Sequence, residues 1–263
     1  MTMQFTLCFG AYQGKDVTYH LEKVRDHQLA GLEFYRWWNL DLSAVKKDIE
    51  RIDKRIVSIC ARYISLVDET LRDSFIAGIR ETIEAAKSLG ATSIVTQTGD
   101  LLSGVTREKQ MNTMVETLKV CAPLFEKAGL VLEIEPLNTL VNHPGYFLQH
   151  SDEAYRIVQE VDSPHVQICF DFYHQQVSEG NLISNARKYF DKINHFHIAD
   201  HPGRTEPGLG EINYHNILKA LVELDFTGLV GLECKFINDT DESIERFKKE
   251  YIERIFPLEE VTP

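Results

Sequence analysis

Short runs of β-branched and aromatic residues alternate along this chain with longer segments in which apolar residues recur every three to four positions. Runs of the first kind predict buried strands, and segments of the second kind predict amphipathic helices. The predicted strands are 5–10, 31–36, 55–61, 93–99, 130–137, 166–173, 193–200 and 229–236. The predicted helices are 17–29, 42–54, 72–89, 107–128, 151–161, 181–190, 213–224 and 241–255.

Eight such strand–helix units in 263 residues predict an α/β fold, a closed (β/α)8 TIM barrel forming a single domain over 1–263. Parallel strands need crossover connections of this length, and the helices supply them. An open, doubly wound sheet is the alternative. It is disfavoured because no GxGxxG segment follows the first strand.

Composition and charge exclude several classes of protein. The chain carries 28 Lys and Arg against 40 Asp and Glu, a formal net charge of −12. Because an acidic surface repels a phosphate backbone, we expect no nucleic-acid partner. No apolar run is long enough to span a bilayer, so we expect no membrane partner. Five cysteines, an odd number without a CxxC pair, predict reduced thiols, and no signal peptide is recognisable, so the predicted location is cytoplasmic.

Polar residues follow four consecutive predicted strands, five to eight. They are Glu135, Asp171, His197 and Glu233. Since the carboxyl ends of barrel strands form one rim, these side chains are expected to meet there. Three carboxylates and one imidazole suit one divalent cation, with Mn²⁺ or Mg²⁺ favoured and Zn²⁺ or Co²⁺ as alternatives. For any one of these residues alone, the alternative is a helix cap or a solvated rim side chain.

The segments LEIEPLN, FDFYH, HFHIADHPGRTEPGLGEINY and GLECK resemble the xylose-isomerase-like TIM barrel superfamily of sugar phosphate isomerases and epimerases. Within it the chain is most similar to the hydroxypyruvate isomerase group. The resemblance implies one divalent metal held by Glu135, Asp171, His197 and Glu233, with Glu135 and Glu233 as the catalytic acid/base pair. It also implies substrate-binding roles for His174 and Arg204, the alternatives being a packing histidine and a surface ion pair.

The expected activity is a metal-dependent isomerisation of a small sugar or hydroxy-oxo acid, with hydroxypyruvate and tartronate semialdehyde as the first candidates. A metal-stabilised enediolate would form as one glutamate removes a proton next to the carbonyl. A ketose 3-epimerase is the alternative, because His197 stands where the hydroxypyruvate group often has Gln. An endonuclease IV-like hydrolase is less favoured because strands two and three end near Arg36 and Arg62 rather than in histidines. A non-catalytic sugar-binding protein is less favoured because both glutamates are present. Homo-oligomer formation is left open.

Two further expectations concern the barrel interior and its rim. Side chains alternate between the faces of a strand, so Glu133 and His195 should lie one layer below Glu135 and His197. A buried carboxylate is costly without a partner, so we predict that Glu133 pairs with His195. Tyr35, Trp37 and Trp38 follow strand two at the rim and are expected either to form a wall over the substrate or to pack in the core.

Overall fold

Eight parallel strands close into a barrel in chain order in the computed structural model, which describes residues 3–255. The strands are β1 (Gln4–Cys8), β2 (Gly31–Phe34), β3 (Ile56–Cys60), β4 (Ser93–Thr96), β5 (Val131–Ile134), β6 (Val166–Asp171), β7 (Ile193–Ile198) and β8 (Leu229–Leu232). Closure is made by β1 and β8, which pair from Gln4 with Leu229 to Leu7 with Leu232. The predicted TIM barrel is therefore confirmed, whereas a single domain over all of 1–263 stays a prediction.

Helices connect the strands and surround the barrel. They are α1 (Val17–Asp26), α2 (Leu42–Ile52), α3 (Arg72–Leu89), α4 (Arg107–Ala128), α5 (Ser151–Val161), α6 (Phe172–Ser178), α7 (Leu182–Lys188), α8 (Tyr214–Glu223), α9 (Thr240–Phe247) and α10 (Glu253–Ile255). Short 3₁₀ turns lie at Trp37–Asn39, Glu69–Leu71 and Phe190–Lys192, and a π-helical segment at Lys248–Ile252 joins α9 to α10. Within residues 3–255, no helix has the length and apolar character needed to cross a membrane.

The strand ends differ from the sequence-based boundaries. Strand six was expected to continue to residue 173, but it ends at Asp171, and α6 begins at the next residue. The Asp171 carboxylate accepts the backbone N–H groups of Tyr173 and His174 at 2.7 and 3.2 Å, as a helix N-cap does. The same unit therefore contains two short helices, α6 and α7, where one helix over 181–190 was predicted.

Side-chain alternation separates an apolar layer from a polar barrel interior. In β5, Leu132 and Ile134 are fully buried and belong to the main hydrophobic cluster, which includes residues of the surrounding helices. Glu133, between them, is also fully buried and contacts β7. The apolar layer holds helices to strands, and the opposite face of the same strands can carry charged groups up to the rim.

Candidate active site

Four side chains from successive strands converge at the carboxyl-terminal rim. Glu135 and Glu233 lie directly after β5 and β8, while Asp171 and His197 lie in β6 and β7. One potential ligand atom from each of the four lies within 4.8 Å of every other. The structure thus brings together the four residues that the sequence predicted to meet at the rim.

His197 is the centre of this group. Its Nδ1 atom lies 3.2 Å from Glu135 Oε1 and 3.0 Å from Glu233 Oε2, so the two carboxylates approach the same ring nitrogen. The opposite nitrogen, Nε2, lies 3.1 Å from Glu33 Oε2. The His197 side chain is only 2% exposed, so both ring nitrogens contact protein atoms rather than solvent. One nitrogen faces the carboxylate cluster, and the other faces the interior below it.

The donor set fits one divalent cation. Three carboxylates and one imidazole are ligands that Mn²⁺, Mg²⁺ and Zn²⁺ accept. Asp171 Oδ2 is buried and has no hydrogen-bond partner among the described residues. A buried carboxylate oxygen without a donor is costly, and a cation would satisfy it.

His174 and Arg204 approach the cluster from α6 and from the loop after β7. His174 Nε2 lies 3.6 Å from Asp171 Oδ2, and the His174 side chain is fully buried. Arg204 Nη2 lies 2.8 Å from Glu233 Oε2 and 3.8 Å from Asp171 Oδ2. Both residues implied as substrate-binding therefore face the four-residue cluster, and Arg204 is not engaged in a surface ion pair.

The tautomer of His174 follows from its hydrogen bonds. Its Nδ1 atom accepts the backbone N–H of Asn138 at 3.1 Å and lies 2.7 Å from the side-chain amide nitrogen of the same residue. Because two donors face Nδ1, the proton belongs on Nε2. Burial, followed by the charge of Arg204, holds the pKa of His174 well below its ordinary range. His174 is therefore a neutral N–H donor directed at the cluster.

Burial and neighbouring charges separate the titration of the two glutamates. Burial raises the pKa of Glu135, and the Glu233 charge raises it further. Burial also acts to raise the pKa of Glu233, but Arg204 and His197 outweigh it and hold that pKa well below its usual range. Burial, with the Glu233 charge, raises the pKa of Asp171 to about 7. Carboxylates whose pKa values are pushed apart are suited to opposite acid and base roles.

Asp200 organises the loop that carries Arg204. Its carboxylate accepts four backbone N–H groups at 2.8–3.0 Å, those of His201, Gly208, Gly210 and Ile212. At Gly210, a Cβ atom would lie 2.4 Å from the Asp200 carboxylate, so only glycine lets the loop approach this closely. Arg204 itself has a positive φ of 58°. The loop conformation is thus imposed by one buried carboxylate.

Cavities open at the rim on the side of the strand ends. One, of about 190 Å³, is lined by Cys8, Phe9, Gly10, Ala11, Tyr35, Arg204, Glu233, Cys234 and Lys235. Another, of about 410 Å³, is lined by residues of the loops after β3, β4 and β5, including His143 and Tyr146. A separate cavity of about 620 Å³ lies between α7 and α8, and none of the candidate site residues line it.

The sequence left the places of Tyr35 and Trp37 undecided and did not point to Glu33 or Asn138. Tyr35 donates from its hydroxyl to Glu233 Oε1 at 2.5 Å, so it touches the cluster and does more than form an apolar wall. Trp37 is buried and donates to the Cys60 carbonyl at 3.1 Å, which places it in the core. Glu33 and Asn138 carried no sequence signal beyond being polar residues at or just past a strand.

Residues 21–250 match the family described as xylose isomerase-like TIM barrel, and the chain belongs to that family. A hydroxypyruvate isomerase of Escherichia coli K12 is 31% identical over 242 residues, covering 88% of this chain and 91% of that protein. A 2-oxo-tetronate isomerase of Haemophilus influenzae is 30% identical over 167 residues, covering 64% of each chain. The resemblance seen in the sequence is confirmed, and these relatives are named isomerases.

Solved structures share the fold at lower identity. A protein of Brucella melitensis described as an AP endonuclease of family 2 superposes with a TM-score of 0.89 at 22% identity, over 95% of this chain and all of that one. A D-allulose 3-epimerase of Methylomonas sp., solved with D-allulose, gives a TM-score of 0.81 at 14% identity, over 95% and 98% of the chains. At these identities the similarity shows the barrel fold alone.

Proposed function

We propose that this protein is a divalent-metal-dependent isomerase of a small hydroxy-oxo acid, with hydroxypyruvate and tartronate semialdehyde as the first substrate pair to test. The observation that carries the proposal is the convergence of Glu135, Asp171, His197 and Glu233 within 4.8 Å at the barrel rim. The isomerases at 30–31% identity support the reaction class.

The proposed chemistry is a proton transfer between adjacent carbons. A bound divalent cation would act as a Lewis acid that stabilises the negative charge developing on the substrate oxygens. Glu135 and Glu233 reach the same nitrogen of His197, at 3.2 and 3.0 Å, and would flank a substrate placed there. One carboxylate takes the C–H proton, the electron pair moves into an enediolate, and a proton returns to the neighbouring carbon, while the hydroxyl proton passes from the former alcohol oxygen to the former carbonyl oxygen.

His174 and Arg204 would orient the substrate. The N–H at His174 Nε2 is directed at the cluster and would donate to a substrate oxygen. The Arg204 guanidinium is planar and offers paired donors, which suits a terminal carboxylate. Lys235 lines the 190 Å³ cavity with Arg204, and no carboxylate among residues 3–255 forms an ion pair with it. Glu233 pairs with Arg204 in the same lining, so the charge of Lys235 is the feature that favours an anionic substrate over a neutral ketose.

A ketose 3-epimerase is the second candidate, because the same pair of glutamates could remove and return a proton at one carbon. The fold shared with the D-allulose 3-epimerase keeps this candidate open. A multi-zinc hydrolase needs additional ligands from the early strands, and β2 and β3 are followed here by Tyr35-Arg36 and Ala61-Arg62. Binding without catalysis is disfavoured because both glutamates are present. The cytoplasmic location and the oligomeric state stay predictions.

The test is a substrate panel followed by NMR in D₂O. Hydroxypyruvate, a 2-oxo-tetronate and D-allulose are incubated separately with protein and Mn²⁺. We expect deuterium to enter one carbon of a hydroxy-oxo acid as its carbonyl migrates. Inversion at a single ketose carbon would instead select the epimerase. Full activity after exhaustive chelation, with no bound metal found by elemental analysis, would overturn the proposal.

The glutamate variants examine the proton-transfer step. Glu135→Gln and Glu233→Gln should each lower kcat by about 10²–10⁴-fold at saturating Mn²⁺, because general acid–base catalysis contributes a factor of this size. Glu211→Gln is the matched control, since this exposed carboxylate lies in the loop after β7 and bonds to Gln176. Near-normal turnover in either cluster variant would remove that residue from the mechanism.

A further inference from the structure

Below the four-residue cluster lies a second layer of charged side chains that the proposed chemistry does not use. It consists of Glu33 from β2, Glu133 from β5 and His195 from β7, and none of the three is more than 3% exposed. Burying two carboxylates without compensation would be strongly destabilising. Their contacts therefore indicate what the layer does.

Glu133 and His195 form the lower part of this layer. His195 Nδ1 lies 3.2 Å from Glu133 Oε2, which confirms the pairing predicted from strand alternation. Asn194 donates to the other oxygen of Glu133 at 2.5 Å. The opposite nitrogen of His195, Nε2, lies 3.3 Å from Glu33 Oε1 in an ion-pair contact. His195 therefore bridges two carboxylates inside the barrel.

Glu33 connects this lower layer to the rim. Its Oε2 atom is hydrogen-bonded to His197 Nε2 at 3.1 Å, and the Thr6 hydroxyl donates to its Oε1 atom. A single carboxylate thus touches the interior histidine, the rim histidine and a hydroxyl on β1. The two histidines belong to β7 and Thr6 belongs to β1, so Glu33 is held by a strand on either side of β8.

Gly231 in β8 leaves the space for this arrangement. It pairs in register with Thr6 on one side and with His197 on the other. A Cβ atom at this position would lie 2.5 Å from Glu33 Oε1 and 2.9 Å from His197 Cδ2. Any other residue would push the carboxylate or the ring out of place. Glycine is therefore required here by the Glu33–His197 contact.

A neutral imidazole carries one proton, and the nitrogen that carries it cannot bind a cation. A carboxylate at Nε2 accepts that proton's hydrogen bond, so the lone pair remains on Nδ1, which faces Glu135 and Glu233. We infer that Glu33 is a positioning residue that holds His197 in the Nε2–H tautomer and in the ring orientation that binds the cation. This inference rests on the metal site of the proposed function.

The variant Glu33→Gln tests the inference without any substrate. The glutamine amide has one acceptor oxygen, which can face the N–H of either His195 or His197. Its NH₂ group then faces the other ring, where it cannot accept a hydrogen bond. Mn²⁺ affinity is measured on metal-free protein from the electron paramagnetic resonance signal of free Mn²⁺. We expect binding to weaken by about 10–100-fold, as is typical when the partner of a metal-ligating histidine is lost.

Two further variants keep the test decisive. Thr6→Val preserves the β-branched shape and removes only the hydroxyl that holds Glu33, so we expect up to about fivefold weaker Mn²⁺ binding, equivalent to one net hydrogen bond.

Glu206→Gln is the matched control. This carboxylate is 1% exposed and accepts hydrogen bonds from Ile237, Asn238 and Ser243, away from the cluster. It should bind Mn²⁺ like the wild type.

A spectroscopic readout separates positioning from general stability. In protein loaded with diamagnetic Mg²⁺, long-range ¹H–¹⁵N correlations report which nitrogen of His197 carries the proton. We expect Nε2–H in the wild type, and a mixed or reversed pattern in Glu33→Gln. Unchanged affinity and an unchanged ring pattern in folded Glu33→Gln and Thr6→Val proteins would overturn the role of Glu33 alone. A wild type that binds no divalent ion would overturn the proposed function as well.

Discussion

Asn138 shows how one side chain can act on the site through another. Its Oδ1 atom accepts the backbone N–H groups of Val141 and Asn142 at 3.0 and 3.1 Å, which forms the turn after β5. Its amide nitrogen faces His174 Nδ1 at 2.7 Å. The oxygen therefore shapes the loop, while the NH₂ group assigns the tautomer of His174.

The variant Asn138→Asp separates these two tasks. The turn keeps its acceptor oxygen, but the new carboxylate draws a proton onto His174 Nδ1. We expect kcat/KM to fall by about tenfold or more, because the substrate loses a hydrogen bond from a correctly protonated donor. The ring ¹⁵N shifts of His174 should change in parallel.

Asn142→Asp is the matched control, since Asn142 acts as an acceptor for the Asn138 amide and the Tyr173 hydroxyl. An Asn138→Asp protein with wild-type kcat/KM and unchanged His174 shifts would refute the assignment.

At the scale of elements, the loop over 201–212 is organised around Asp200. Four backbone N–H groups converge on this one carboxylate. The loop also contacts the strand end beyond β8, where the Lys235 N–H donates to the Arg204 carbonyl at 2.7 Å. Arg204 is therefore held by Asp200 through the loop and by the Lys235 N–H at its own carbonyl.

In Asp200→Asn, an amide NH₂ group would face the N–H donors of Gly208 and Gly210, so these hydrogen bonds cannot all persist. We expect faster amide hydrogen exchange over 201–212 and about a tenfold lower kcat/KM, equivalent to one or two net hydrogen bonds. Mn²⁺ affinity should stay at the wild-type value because the four-residue cluster is intact. Slow exchange throughout the loop in the variant would contradict this account.

Element boundaries were predictable to within a few residues where capping decides them. Gly90 and Gly129 adopt the left-handed conformation and end α3 and α4 at residues 89 and 128, the ends that the sequence predicted. The break into α6 and α7 was not predictable from periodicity, because each helix has only seven residues. Asp171 caps α6 and starts it at once, a role that the sequence offered only as the alternative to a metal ligand at this position.

At the scale of the whole molecule, a polar cluster links the first strand–helix unit to the last. Tyr12, in the loop before α1, donates to Asp241 Oδ1 of α9 at 2.5 Å. His27 lies 2.8 Å from Asp241 and 2.6 Å from Glu245, and Lys23 lies 2.5 Å from Asp241. Because β1 and β8 also close the barrel, this cluster holds the two ends of the described chain together.

The cluster predicts a dependence of stability on acid pH. Burial acts to raise the pKa of Asp241. The hydrogen bonds that Lys23, Tyr12 and His27 donate to its carboxylate outweigh burial and lower this pKa from 3.8 to about 2. A lowered folded-state pKa stabilises the protein above about pH 4, and the gain is lost as pH falls towards 2. The shift alone corresponds to about 2.4 kcal/mol. Solvent screening at a side chain that is 42% exposed reduces this to ~1 kcal/mol.

Urea unfolding between pH 5 and pH 2.5 measures this contribution. Asp241→Asn should lower the free energy of unfolding at pH 5 by ~1 kcal/mol. The difference from the wild type should shrink as pH falls through the titration of the carboxylate. Asp26→Asn, at an exposed carboxylate that pairs with its neighbour Arg25, is the control. A difference that stays constant over this range would show that the Asp241 charge contributes nothing.

The sequence by itself determined the barrel and the meeting of four polar side chains at its rim. Eight alternations of strand and helix permit few folds, and strand ends share one face, so Glu135, Asp171, His197 and Glu233 could be placed together without coordinates. The inward parity of Glu133 and His195 followed from the same rule. Only the tertiary structure decided that Glu33 lies between the two histidines. Glu33 lies in β2, whereas both histidines lie in β7, far along the chain. The distances between these side chains depend on closure of the barrel, which no local sequence pattern encodes.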